Sequence, residues 1–129
     1  MSTEEDKNKK ENIVYVLTKG PENAEVALLP FMHAVGALTM DIGATIVLMG
    51  SAVYLAHKEI PKHVLYAGKP PLAELMKNFF ELGGKLFICT PCYKSRQLDE
   101  KSDLIPNIEP LAAAKYNEIL LNASAVVSY

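Results

Sequence analysis

The chain has 129 residues, half of them apolar, and a formal net charge of −2 at pH 7. That length suits one domain with one core, and the charge balance supplies no basic face for DNA or RNA, so nucleic-acid binding is disfavoured. Residues 1–12 mix acidic residues with Lys and hold nothing apolar after Met1, so they read as a solvated tail, with residues 13–129 as a single folded domain. No apolar stretch follows the N-terminal charges as a secretory signal would require, and the expected location is the cytoplasm. The apolar segment 42–56 is shorter than the roughly 18 to 20 residues of a membrane helix and is interrupted by Gly43, Gly50 and Ser51. A buried strand followed by a helix accounts for it, and no membrane partner is expected.

Residues 13–18 are a continuous apolar, β-rich run stopped by Lys19-Gly20-Pro21, which predicts a central strand. Between Glu22 and Met40, Val26, Leu29, Val35 and Leu38 recur at helical spacing, and Pro30 either kinks one helix or opens a second segment. After Asp41-Ile42-Gly43, residues 44–49 predict a second buried strand, and Gly50-Ser51 begins a short apolar helix reaching Lys58. Residues 59–69, with Pro61 and Gly68, read as a loop with at most a short turn of helix. Pro70-Pro71 opens a helix striped with Leu72, Leu75, Met76, Phe79, Phe80 and Leu82, and Gly83-Gly84 closes it. Residues 86–89 predict the third strand, followed by a helix over 91–98. Residues 102–105 are a short strand or a loop; a helix over 109–122 and a strand over 125–128 complete the order.

Continuous apolar strands alternating with helices indicate an α/β fold, a three-layer α/β/α sandwich with a mostly parallel sheet of about five strands. Reactive groups in such sheets gather beyond the carboxyl ends of the strands. Lys19, Gly50, Ser51 and Cys89 fall there, which makes the first three candidate substrate-binding residues.

The only two cysteines form Cys89-Thr90-Pro91-Cys92, between a buried strand and a helix start. Helical N–H groups and nearby cations favour a thiolate, the nucleophilic form of the sulfur. The spacing admits three chemistries. Structural zinc needs four ligands, yet there is no second cysteine pair, and His33, His57 and His63 follow no recognised ligand spacing, so no metal is expected. In thiol–disulfide exchange Cys89 attacks and Cys92 resolves the mixed disulfide. In the bland alternative both are small buried residues without reactivity.

The segment from Gly83 to Arg96, with Leu104-Ile105 and the closing Ala125-Val126-Val127-Ser128-Tyr129, resembles the DsrE/DsrF-like sulfur-relay family, particularly its small predicted-peroxiredoxin branch. Val14 to Thr18, Gly20-Pro21, the Pro30-Phe31 helix and Ala44 to Gly50 occur in the order of that family. The resemblance implies a three-layer α/β/α fold, homo-oligomers such as trimers or hexamers, and sulfur carried as a persulfide on Cys89, taken from a donor and passed to an acceptor protein. Many relatives lack a cysteine at the position of Cys92. A thiol there can attack a persulfide on Cys89 and expel sulfide, so a thiol–disulfide oxidoreductase using both cysteines is the competing reading, and a non-catalytic oligomeric binding module is a third. Whether the protein is a sulfurtransferase, an oxidoreductase or no enzyme stays open at the level of sequence.

Lys94 and Arg96 are candidates to stabilise the thiolate or bind an anionic donor such as a thiosulfonate, although charges after a helix start are more often a solvated face. His57 and His63 flank a loop and read first as ordinary surface histidines, and His33 as a packed one. Tyr54, Tyr66 and Tyr93 are candidates for a pocket or an interface. Phe31, Met32, Tyr54, Leu55, Phe79 and Phe80 are a large apolar set for this length, part of which suits another subunit. No G-x-x-x-x-G-K-[ST], G-x-G-x-x-G or G-x-S-x-G sequence occurs, so nothing supports a nucleotide cofactor or a serine hydrolase, and no cofactor is expected.

Overall fold

In the computed structural model, which describes residues 10–129, five strands form one all-parallel sheet. They are β1 (Asn12–Leu17), β2 (Gly43–Leu48), β3 (Lys85–Cys89), β4 (Ile108–Leu111) and β5 (Ala125–Ser128), in the order β4-β3-β2-β1-β5. The helices are α1 (Ala24–Thr39), α2 (Leu72–Glu81), α3 (Thr90–Ser95) and α4 (Ala113–Leu121). The tail expected over residues 1–12 lies outside the described residues as far as residue 9; β1 itself begins at Asn12, one residue before the expected start.

The three inner strands read as unbroken apolar runs because both their faces are covered. Side chains alternate across a strand. Tyr15 and Leu17 of β1, Ile46 and Leu48 of β2, and Leu86 and Ile88 of β3 join one large cluster with α1, α2 and the turn of 3₁₀ helix that follows β2. Val14 and Val16, Val47, Phe87 and Leu111 point the other way, beneath Tyr116, Ile119 and Leu120 of α4. That second face has the thinner cover, since α4 has no fully buried residue and β5 is exposed along its length.

Asn23 caps α1 by accepting from Val26 N (3.2 Å), and the helix runs unbroken through Pro30. An interior proline costs a helix about 3 kcal/mol. Burial of Leu28 and Phe31 on either side of Pro30 offsets it, at about 1.5–3 kcal/mol for each large side chain. In α2 the expected stripe is realised by Leu72, Leu75, Met76 and Phe79, all buried, and the helix stops ahead of Gly83-Gly84.

Three expectations need correction. Residues 50–58 do not form an α-helix: Gly50–Ala56 is 3₁₀, packed against β3 and α3. The helix expected over 91–98 is the six-residue α3, which starts at Thr90 and ends at Ser95. The helix expected over 109–122 is two elements, since Ile108–Leu111 is the fourth strand of the sheet and α4 begins only at Ala113. Pro110 lacks an N–H for the ladder, and β4 tolerates it because it is an edge strand paired to β3 alone. Residues 102–105 form a loop, tied to the chain after the 3₁₀ segment by one antiparallel bridge between His57 and Leu104. No helix among the described residues is long and apolar enough to cross a membrane.

Candidate active site: paired cysteines beneath an apolar cavity

Because the sheet is all parallel, every strand delivers its carboxyl end to the same side of the molecule. Cys89, the last residue of β3, lies in register with Leu111, the last residue of β4. The chain then turns into α3, whose first turn carries Cys92. The two cysteines are joined as a disulfide, with Cα atoms 5.2 Å apart, inside the range that admits the bond. Cys89 is only 7% exposed. Cys92 is half-buried and packs against the large cluster beneath α1 and α2.

A cavity of about 290 Å³ opens on the α4 side of the sheet over Cys89. Its walls are Met49, Pro91, Leu111 and Tyr116, with Ala112, Ala113 and Asn117 at the entry to α4. No charged side chain lines it, and Cys92 does not line it either. A molecule seated there meets Cys89 sulfur in an apolar setting.

The other candidate residues lie elsewhere. The carbonyl of Cys92 accepts from Ser95 Oγ (3.0 Å) and Arg96 Nη1 (3.1 Å), and the Arg96 guanidinium lies 5.8 Å from the centre of the Tyr54 ring. Arg96 thus anchors α3 instead of facing the cavity. Lys94 is exposed on the last turn of α3, outside the cavity wall. Lys19, Gly50 and Ser51 belong to a second cluster at the ends of β1 and β2. There Gly20 N donates to Ser51 Oγ (3.2 Å) and to Glu22 (3.0 Å), while Ser51 Oγ donates to the Glu22 carboxylate. A Cβ at position 20 would sit 2.2 Å from the Ser51 carbonyl oxygen, so only glycine lets these two turns approach. The cluster fixes the start of the 3₁₀ segment, and its neighbour Met49 lies in the cavity wall.

Burial pushes the Glu22 carboxyl up, but hydrogen bonds from Ser51 and Gly20 and the charge of Lys19 outweigh it and hold the pKa below its ordinary value of 4.5. A carboxylate with a lowered folded-state pKa stabilises the fold above the unfolded value, and that contribution disappears as pH falls through the folded one. Glu22→Gln is therefore expected to lower the thermal midpoint slightly at neutral pH. The gap to wild type should close as the pH is lowered below 4.5, as a pH series of melting curves will show.

Sequence reasoning missed Met49, Leu111, Tyr116 and Asn117. The boundary between β4 and α4 would have exposed three of them, had Pro110 been taken as an edge-strand residue. The histidines stay away from the cavity. His57 accepts from Glu59 N (3.0 Å) and faces Asp103 (3.9 Å), His33 pairs with the Tyr129 hydroxyl, and His63 is exposed. Among the described residues, no three His, Cys, Asp or Glu side chains gather to hold a metal ion.

The profile of the DsrE/DsrF-like family matches residues 11–129, nearly the whole described chain. The chain belongs to the DsrE/DsrF-like family. Its members are generally linked to sulfur relay and are often oligomeric. Two uncharacterised proteins of Methanocaldococcus jannaschii are similar to it. MJ0989 is 38% identical over 91 residues, 70% of this chain and 75% of that protein. MJ0760 is 32% identical over 92 residues, 71% of this chain but only 34% of that longer protein. Among solved structures, the ychN protein from E. coli superposes with a TM-score of 0.73 at 18% identity, covering 92% of this chain and 99% of that one. A conserved protein of unknown function from Bacteroides thetaiotaomicron, BT1422, superposes at 0.67 with 15% identity, covering 92% and 95%. These structural likenesses establish the DsrE-like fold.

Proposed function

We propose that the protein carries sulfane sulfur on Cys89, accepting it as a persulfide from a donor and passing it to an acceptor protein. The observation that carries this reading is the placement of Cys89, alone of the two cysteines, in the wall of an apolar cavity at the carboxyl ends of the strands. A neutral sulfur chain loses little by leaving water for such a cavity, whereas a sulfonate or thiosulfate would find no charged partner in it. The pairing of the cysteines fits a reactive site better than a staple. They are three residues apart, and closing so short a loop restrains the unfolded chain by only about 2 kcal/mol. A reducing cytoplasm would keep such thiols available. A homo-oligomer, trimer or hexamer, fits the exposed Val126 and Val127 of β5.

The test is to incubate the reduced chain and its Cys92→Ser variant, without air, with glutathione persulfide and to read intact mass. One added sulfur, mapped to the peptide containing Cys89 in at least the variant, is the expected result; its absence from both proteins overturns the proposal. A second reading, thiol–disulfide oxidoreductase, is favoured by the bonded pair itself. It requires mild oxidation to remove two free thiols reversibly.

A further inference from the structure

The carrier reading leaves Cys92 without a task, and it is the residue a stable carrier would avoid. We propose that Cys92 is a resolving thiol that turns the Cys89 persulfide over to hydrosulfide, so that the protein reduces sulfane sulfur. The proposal rests on sulfur uptake at Cys89 and adds what becomes of that sulfur.

In the first step the Cys89 thiolate attacks the outer sulfur of a donor persulfide, R–S–SH. The donor S–S bond breaks, its electron pair leaves on RS⁻, and Cys89–S–SH forms. In the second step the Cys92 thiolate attacks Cys89 Sγ. The Cys89–Cys92 bond forms, the bond to the outer sulfur breaks, and that sulfur departs with the pair as HS⁻. The sulfane sulfur has gained two electrons and the two thiolates have lost them. A dithiol reductant returns the disulfide to the two thiols for the next cycle.

Three features of the site fit the second step. The product bond is the one present in the structure, made with the backbone positions of Cys89, at the end of β3, and Cys92, in the first turn of α3, already 5.2 Å apart. Pro91 between them has a fixed φ, and the Cys92 carbonyl is held by Ser95 and Arg96, so the resolving residue sits on a restrained turn. The cysteines also have different surroundings. Both touch the core cluster, but Cys89 borders the cavity and Cys92 is absent from the cavity wall. Thiolate attack on a sulfur expels the group opposite, which places the incoming Cys92 in the protein and the departing sulfur in the cavity. Once formed, the hydrosulfide anion meets no cation among the lining residues and is not retained there. Arg96 acts as a positioning residue through the Cys92 carbonyl.

The experiment uses the full reduced chain and its Cys92→Ser and Cys92→Ala variants, without air, with one equivalent of glutathione persulfide and no added thiol. Sulfide is trapped with a bimane reagent while intact mass is read. Wild type is expected to release sulfide equimolar with the donor consumed and to end with no added sulfur and no alkylatable thiol. Both variants should keep one sulfur on Cys89 and release about tenfold less sulfide. With excess dithiothreitol wild type should turn over repeatedly and faster than either variant, whose Cys89 persulfide the dithiol must reduce directly. If variants and wild type alike keep the added sulfur, resolution by Cys92 is overturned and sulfur carriage stands. If neither variant takes up sulfur, uptake at Cys89 fails and this proposal falls with it.

Discussion

A Cys89→Ser protein is expected to take up no sulfur from glutathione persulfide, and its intact mass after incubation should match that of the untreated protein. The acceptor must be a thiolate, and a serine hydroxyl stays protonated and unreactive toward a sulfane sulfur at neutral pH. Cys92 cannot substitute for it, because it lies outside the wall of the cavity in which the donor would sit. The loss must be separated from damage to the fold, since position 89 is only 7% exposed. A hydroxyl buried there without a partner costs about 1–3 kcal/mol, visible as an earlier urea midpoint. Cys89→Ala introduces no polar atom and should give the same loss of uptake with a later midpoint. Uptake of one sulfur by either variant, the gain expected of Cys92→Ser, would place the chemistry elsewhere.

Phe79→Ala is expected to destabilise the protein by about 3–5 kcal/mol, the range for emptying a buried aromatic site. Phe79 is fully buried on α2 and meets Phe31 edge-to-face at 5.8 Å and Phe80 at 5.5 Å, so its removal breaks the contact that clamps α2 onto α1. The chain is built around this ring. Its plane fills the space beside Gly84, where a Cβ would lie 2.3 Å from a ring carbon, and Gly84 N donates to the Phe79 carbonyl at 2.9 Å. Local collapse is therefore poorly placed to fill the hole. Against a total of about 5–15 kcal/mol for an ordinary domain, the loss is large, and it should appear as a lower denaturant midpoint at unchanged slope. Phe79 lies in the cluster beneath α1 and α2, which Cys89 also joins, but it does not line the cavity. The molecules that remain folded should therefore consume glutathione persulfide as fast as wild type does. A change in that rate at full folding would show that this cluster and the cavity are coupled.

Most of the architecture was legible because it rests on local pattern. β1, β2, β3 and β5 are apolar runs bounded by turn residues, and α2 carries its stripe between Pro71 and Gly83. β4 was hidden for a physical reason. An edge strand has one partner and is buried here only at Leu111, so Ile108 and Leu111 with Glu109 and Pro110 between them imitate the first turn of the helix that follows. The cysteine pair needed no structure to be noticed, whereas its cavity did. Met49, Cys89 and Leu111 come from separate parts of the chain, and the parallel pairing of β2, β3 and β4 delivers them to one place. The cations mislead in the opposite way. Lys19, Lys94 and Arg96 are near the strand ends in sequence, but the destination of a long side chain is set by what it can stack on or bond, which for Arg96 is Tyr54 and the Cys92 carbonyl.

The pairing of β1 with β5 bears on how the chain emerges from a ribosome. Asn12 and Ser124, bonded to one another at that junction, are 112 residues apart. β1 is made before the other four strands and becomes an inner strand of the finished sheet, with β5 on its outer edge. Through the synthesis of α1, β2, β3 and β4 that row of N–H and C=O groups waits beside Val14 and Val16, open to any neighbouring nascent chain. The interval in which this edge stands open thus ends only when β5 is translated.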